Sequence, residues 1–249
     1  MFRSLPSKRL ILSLLLLFFC ILIFIFRNHI KTALIRLNSS SDVVQSPDNR
    51  KHASRPGSVW GIDLSHHQPH IDWDRMARLQ KPHFIFLKAT EGTSHTDTRY
   101  RSYISKARDL HIPVGAYHFF SYNTPGANQA RHFIRQSRLQ KGDLLPVLDV
   151  EYRPKMKGKK WIISEIDAFC REIKAEYGVY PIIYCECAFF QQYLQHHFAD
   201  LHYWISDLHR QPRCNYLIWQ YTDKGFVEGI GYVDKNRLRK GENILNYCL

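Results

Sequence analysis

Eight short apolar runs recur between Val59 and Val233, and most of them close on a polar or acidic residue. They span Val59 to Leu64, Phe84 to Ala89, Val114 to Phe120, Leu145 to Val150, Pro181 to Tyr184, Tyr203 to Ser206, Leu217 to Tyr221 and Gly231 to Val233. Runs of this length without alternation suit strands buried on both faces, as in a parallel sheet. Helical patterns fill the earlier gaps. One covers Asp97 to Leu110. A second starts where Thr124 can cap and Pro125 can occupy the first turn, and continues to about Leu139. A third runs from about Trp161 to Tyr177, with Ile162, Ile166, Phe169 and Ile173 at helical spacing and Gly178 as the stop. After Asp207 the gaps are too short for full helices. The pattern predicts an α/β protein, an irregular TIM-like (β/α) barrel whose last part has lost its helices.

Barrels of this kind carry their chemistry at the carboxyl ends of the strands. The run LPVLDVE, Leu145 to Glu151, ends there in two acids one residue apart. On an extended strand alternate side chains share a face, so Asp149 and Glu151 project together. Two adjacent acids cannot both ionise freely; one pKa rises, and that group can donate a proton near neutrality. A pair of this sort is the minimal equipment for cleaving a glycosidic bond. A lone D-x-E can equally be a solvated strand terminus, so its company decides. Asp63 and Asp234 also close apolar runs and are expected at the same mouth.

The first part of the chain differs from the rest. Residues 1–9 are basic, with Arg3, Lys8 and Arg9, and residues 10–26 form an uncharged stretch rich in Leu, Ile and Phe. That layout is a membrane anchor or a secretory signal. No small-residue cleavage pattern follows Phe26, which favours an uncleaved anchor, and Phe18 and Phe19 argue against lipidation at Cys20. Residues 27–57 read as a linker and 58–249 as one catalytic domain. The orientation expected is export, with the domain outside the cytoplasm. Of the net charge of +13, residues 1–55 hold nine Lys or Arg against two Asp or Glu, which leaves +6 on the remainder. That excess suits an acidic polymer or a membrane surface. No nucleic-acid-binding motif or basic-aromatic stripe is present, so no nucleic-acid partner is expected. Beyond Cys20 there are five cysteines, an odd number. Cys185 and Cys187 read as buried thiols, and one or two disulfides of open connectivity are compatible with export.

Six segments in order, GIDLSHHQPHIDW (61–73), FIFLKATEGTSHTD (84–97), GAYHFF (115–120), LPVLDVE, PIIY (181–184) and IWQYTDKGFVEGI (218–230), resemble glycoside hydrolase family 25, the Chalaropsis-type lysozymes. The resemblance covers nearly all of residues 59–239. It implies hydrolysis of the β-1,4 bond between N-acetylmuramic acid and N-acetylglucosamine in peptidoglycan, without a cofactor. Glu151 would be the general acid, kept neutral by the charge of Asp149 and by partial burial. Asp149 would stabilise positive charge at the sugar, directly or through the substrate's acetamido group. Asp63 and Asp234 would position substrate or tune the pair. Tyr117, Tyr184, Trp219 and Tyr221 would line the groove, since aromatic rings cover the apolar faces of sugars, and His118 would be a hydrogen-bonding wall residue. Lys88 and Glu91 would pair at the rim. The lysine-rich run Lys155 to Lys160 would be a solvated loop near an anionic wall polymer. A metal at His66, His67 and His118 is not expected, because neighbouring histidines on a strand face opposite ways. The protein is expected to be a monomer. The alternatives are an idle sugar-binding module that retains the groove and a hydrolase of another N-acetylated polymer such as chitin.

Overall fold

Four consecutive apolar residues, Phe84 to Leu87, have no exposure to solvent, so their strand must be covered on both faces. Alternation divides them. Phe84 and Phe86 join Val147, Ile182, Trp204, Ile218 and Leu238 in an inner core, whereas Ile85, Leu87 and Ala89 join an outer one with the helices. In the computed structural model, which describes residues 58–249, the inner core fills a barrel. The strands are β1 (Trp60–Leu64), β2 (Phe84–Glu91), β3 (His95–Thr96), β4 (Val114–Phe119), β5 (Val147–Asp149), β6 (Ile182–Glu186), β7 (Tyr203–Ser206), β8 (Ile218–Val227) and β9 (Gly231–Leu238). The longer helices are α1 (Trp73–Gln80), α2 (Tyr100–Asp109), α3 (Gly126–Ser137) and α4 (Lys159–Tyr177), with short helical turns at Cys187–Phe189, Phe190–Leu194 and Ile244–Tyr247.

Eight strands close the barrel in the order β1, β2, β4, β5, β6, β7, β8, β9 and back to β1, with β3 a two-residue addition at the outer edge of β2. Neighbours are parallel from β1 round to β8. The expected carboxyl-end position of Asp234 is corrected here: β9 is antiparallel to both β8 and β1 and extends well past Val233. A strand that follows a tight hairpin, with Gly229 and Gly231 at positive φ, has to return in the opposite direction. Asp234 still reaches the mouth, because it lies directly opposite Asp63 in the β1–β9 register.

The floor of the barrel depends on glycine at two crowded points. A Cβ on Gly61 would lie 2.4 Å from the Phe84 ring, and one on Gly115 would lie 2.6 Å from Phe86. Small residues there let two phenylalanines fill the interior. Where helices are missing, cation–π contacts cover the outer wall: Lys235 over Trp60, and Arg237 over Trp219 and Tyr221.

Other expectations also need correction. Helix α1 falls between β1 and β2, capped by Asp72, whose carboxylate accepts from the Arg75 N–H at 2.9 Å. Thr124 does not cap α3; its hydroxyl is buried without a partner, and Glu165 of α4 accepts the Gly126 N–H at 2.7 Å instead. Helix α2 begins at Tyr100, and the carboxylate of Asp97 accepts instead from the backbone N–H of Arg99 and of His66. Cys187 is not a buried thiol but pairs with Cys214, which ties the turn after β6 to the loop before β8. Cys170 and Cys185 are buried and free. Among the described residues no helix is long and apolar enough to cross a membrane. The basic region, the apolar segment 10–26 and the linker lie outside the described residues.

Candidate active site

The mouth of the barrel opens into a cleft of about 700 Å³. Its walls follow from strand parity. Asp63, Lys88, Tyr117, Asp149, Tyr184, Trp204, Gln220 and Asp234 each sit on the inward phase of their strands and line it, as does Glu151 just past β5.

Asp63 is fixed from below. The indole Nε1–H of Trp204 can only donate, and it donates to Asn236 Oδ1 at 2.8 Å. That turns the Asn236 amide so that Nδ2 donates to Asp63 Oδ2 at 2.8 Å. In the same way the hydroxyls of Tyr184 (2.8 Å) and Ser206 (2.9 Å) donate to Gln220 Oε1, which aims Nε2 at Asp63 from 3.3 Å. Burial raises the pKa of Asp63, and the donors oppose that rise. Asp234 is pushed up to about 8, first by burial and then by the charge of Asp63, to which it hydrogen-bonds. The pair therefore shares a proton carried on Asp234, with Asp63 as acceptor.

Asp149 and Glu151 differ in depth. Asp149 is 8 % exposed, and its Oδ1 is buried with no hydrogen-bond partner. Burial pushes it well above the usual carboxylate range, and the charges of Glu151 and Asp63 add to this. The Glu151 side chain is 35 % exposed and lies 3.3 Å from the guanidinium of Arg153. Burial raises its pKa, while Arg153 pulls it back. Both carboxyls are thus raised, Asp149 mainly by its depth and Glu151 by partial burial that Arg153 opposes. The backbone here is held by the Tyr122 hydroxyl, which donates to the Glu151 carbonyl at 2.7 Å.

Three expected groove residues stand elsewhere. His118 is fully buried one position out of phase with Tyr117; its ring meets Thr90 Oγ1 at 2.8 Å and Gln129 Oε1 at 3.0 Å, and burial holds it down at about 3, hence neutral. Trp219 and Tyr221 flank Gln220, so their side chains take the outer face, where Trp219 donates to the Asp207 carbonyl at 2.8 Å. His66 and His67 lie in a turn rather than on a strand, with ring centroids 4.1 Å apart, and His66 Nδ1 lies 2.7 Å from Asp97. Lys88 and Glu91 do pair, at 2.7 Å. Of the lysine run, Lys155 lines the cleft, while Lys159 and Lys160 open α4. The sequence reading missed Gln220, Asn236, Ser206 and Arg153. Counting alternate residues from Asp63, Asp149 and Asp234 along their own and neighbouring strands would have found the first three.

Two carboxyls with raised pKa values at the mouth of a β/α barrel, one buried and one reaching the cleft, are the equipment for acid-assisted cleavage of an acetal, the chemistry of the glycoside hydrolases. The profile of the glycosyl hydrolases family 25 matches residues 62–230. The chain belongs to this family. It is 32% identical over 188 residues to the Escherichia coli (strain K12) protein YegX, across 72% of this chain and 69% of that one. It is 28% identical to the autolytic lysozyme of Clostridium acetobutylicum, across 73% and 56% of the two chains. Among solved structures, the family 25 glycosyl hydrolase from Bacillus anthracis superposes with a TM-score of 0.73 at 27% identity, over 79% of this chain and 97% of that one. The bacterial lysozyme from Streptomyces coelicolor gives 0.70 at 26% identity, over 78% and 98%.

Proposed function

We propose that the protein is a lysozyme-type N-acetylmuramidase, which hydrolyses the β-1,4 bond between N-acetylmuramic acid and N-acetylglucosamine in peptidoglycan. The observation that carries this reading is the unequal pair at the barrel mouth: Asp149 with a buried, unpaired oxygen, and Glu151 reaching into the cleft.

The pair holds one proton between its members. A saccharide in the cleft would cover Glu151 and strip it of water, which favours its neutral form. The same saccharide offers amide N–H donors, and one of these satisfies the unpaired Asp149 Oδ1, which favours the charged form there. Both effects move the proton from Asp149 to Glu151. Glu151 then gives it to the glycosidic oxygen as that bond breaks, and the ionised Asp149 stabilises the positive charge left at the anomeric carbon, directly or through the acetamido group. Water attacks that carbon, its hydrogen returns to Glu151, and the cycle closes. Asp63 and Asp234 border the sugar beside this pair. Tyr117 and Tyr184 supply apolar walls with polar tips.

The substrate lies outside the cytoplasm, so the basic and apolar residues 1–26 are read as the device of export. Retention as a membrane anchor, with residues 27–57 as the tether, would keep a monomeric domain close to the wall. The test is release of reducing ends from purified peptidoglycan by the full chain, with Glu151→Gln as control. Release by the wild type that the variant lacks is the expected result. Equal release by both removes Glu151 from the mechanism, and binding without release by either assigns the groove to a sugar-binding module.

A further inference from the structure

Two cations of the cleft, Arg153 and Lys88, meet at the Phe119 ring. Arg153 follows Glu151 by two residues, and its guanidinium carbon lies 4.4 Å from the centroid of the Phe119 ring. Lys88 Nζ stands 4.9 Å from the centroid of the same ring and pairs with Glu91 at 2.7 Å, and Lys155 also lines the cleft. Cleavage of a neutral glycan needs none of them. Arg153 even works against the reaction in the free protein, because a cation beside Glu151 favours the ionised form of a group that has to donate a proton. Its contact with Glu151, at 3.3 Å, is longer than the roughly 2.7–2.9 Å of a firm charge-assisted hydrogen bond, and 47 % of its side chain is exposed. The ring backs the guanidinium, whose long contact with Glu151 leaves the fork able to exchange partners.

We propose that Arg153, seated on Phe119 with Lys88 on the same ring, is a specificity-determining subsite for a substrate carboxylate, and that it leaves Glu151 for that carboxylate when substrate binds. The inference rests on the muramidase reading and names what selects the muramic acid side of the substrate. A guanidinium fork matches a carboxylate with two parallel N–H bonds, and a planar ring beneath it preserves that geometry. Once the substrate has taken the cation, Glu151 loses the charge that favoured its ionised form and becomes the better acid. Recognition and activation are one step. A neutral glycan such as chitin offers no carboxylate to make the exchange. The shared chemistry is a carboxylate close to the muramic ring, supplied either by its lactyl ether or by the peptide attached to it.

The experiment measures kcat/KM by reducing-end release for the full-chain wild type, Arg153→Ala and Arg153→Lys on four polymers. These are peptidoglycan with its stem peptides and glycan strands stripped of them, each untreated or with its carboxylates converted to amides. The wild type is expected to prefer untreated over amidated polymer by about tenfold or more, the scale of one charge-assisted contact. Arg153→Ala should lose most of that preference and Arg153→Lys should recover part of it. In Arg153→Ala the Glu151-dependent limb of the pH–rate profile should also move to higher pH, which loss of a merely structural side chain would not cause. Preference retained on stripped strands assigns the lactyl carboxylate; preference confined to peptide-bearing polymer assigns the peptide. Equal cleavage of untreated and amidated polymer by the wild type, or an undiminished preference in Arg153→Ala, overturns the subsite while hydrolysis itself continues. No cleavage of any of the four polymers overturns the muramidase reading and the subsite with it.

Discussion

Replacing Asp149 with leucine is expected to abolish hydrolysis and stabilise the fold. Leucine is close to the apolar shape of aspartate, and the site it would enter is 8 % exposed. The wild type keeps Oδ1 buried without a partner, a situation that costs about 1–3 kcal/mol for a polar group. Allowing for imperfect fit of the added methyl groups, a net gain of about 1–2 kcal/mol remains. In a domain of this size each kcal/mol moves Tm by roughly 2–4 °C, so the variant should melt about 2–8 °C higher. The gain depends on pH. Asp149 has a folded pKa above its unfolded value, which lies near about 3.9. Its contribution to stability is therefore fully present below the unfolded pKa and is lost as pH rises through the raised one. The advantage of leucine should accordingly be larger at about pH 8 than at about pH 5. Calorimetry of both proteins at the two pH values, with reducing-end release in parallel, checks this. A lower Tm for the variant, or a gain independent of pH, would refute the claim that Asp149 is held protonated by burial.

Asn236→Leu should lower Tm by about 4–12 °C, because it leaves the Trp204 indole without its acceptor and Asp63 without its 2.8 Å donor, a loss of about 2–3 kcal/mol; thermal melts measure it, and an unchanged Tm contradicts the network. Cys187→Ser should cost about 3.5 kcal/mol through the loop of 27 residues that the bridge closes, and dithiothreitol should lower the Tm of the wild type but not of the variant.

The barrel was legible because its strands are buried on both faces and announce themselves as apolar runs without alternation. The closing strand was harder to read. Gly231 to Leu238 alternates between inner acids and amides, Asp234 and Asn236, and outer cations, Lys235 and Arg237, so only Gly231 to Val233 looked apolar. Its direction depends on a hairpin rather than on composition. Helix α1 was missed because its eight residues are half polar and half apolar, and Met76 is its only buried residue. At the site, the acids were legible from their positions at run ends. The aromatics were not, because residue type carries no parity: Tyr117 and Tyr184 face inward, while Trp219 and Tyr221 serve as the outer wall that absent helices would have covered. The unequal burial of Asp149 and Glu151 could not be read at all, since it follows from depth below the mouth.

The bond that is cut tests the central claim most directly. Peptidoglycan digested by the full chain and resolved by mass spectrometry should yield fragments ending in reducing N-acetylmuramic acid, and none with Glu151→Gln. Fragments ending in reducing N-acetylglucosamine would contradict it, as would wild-type product that persists in the variant.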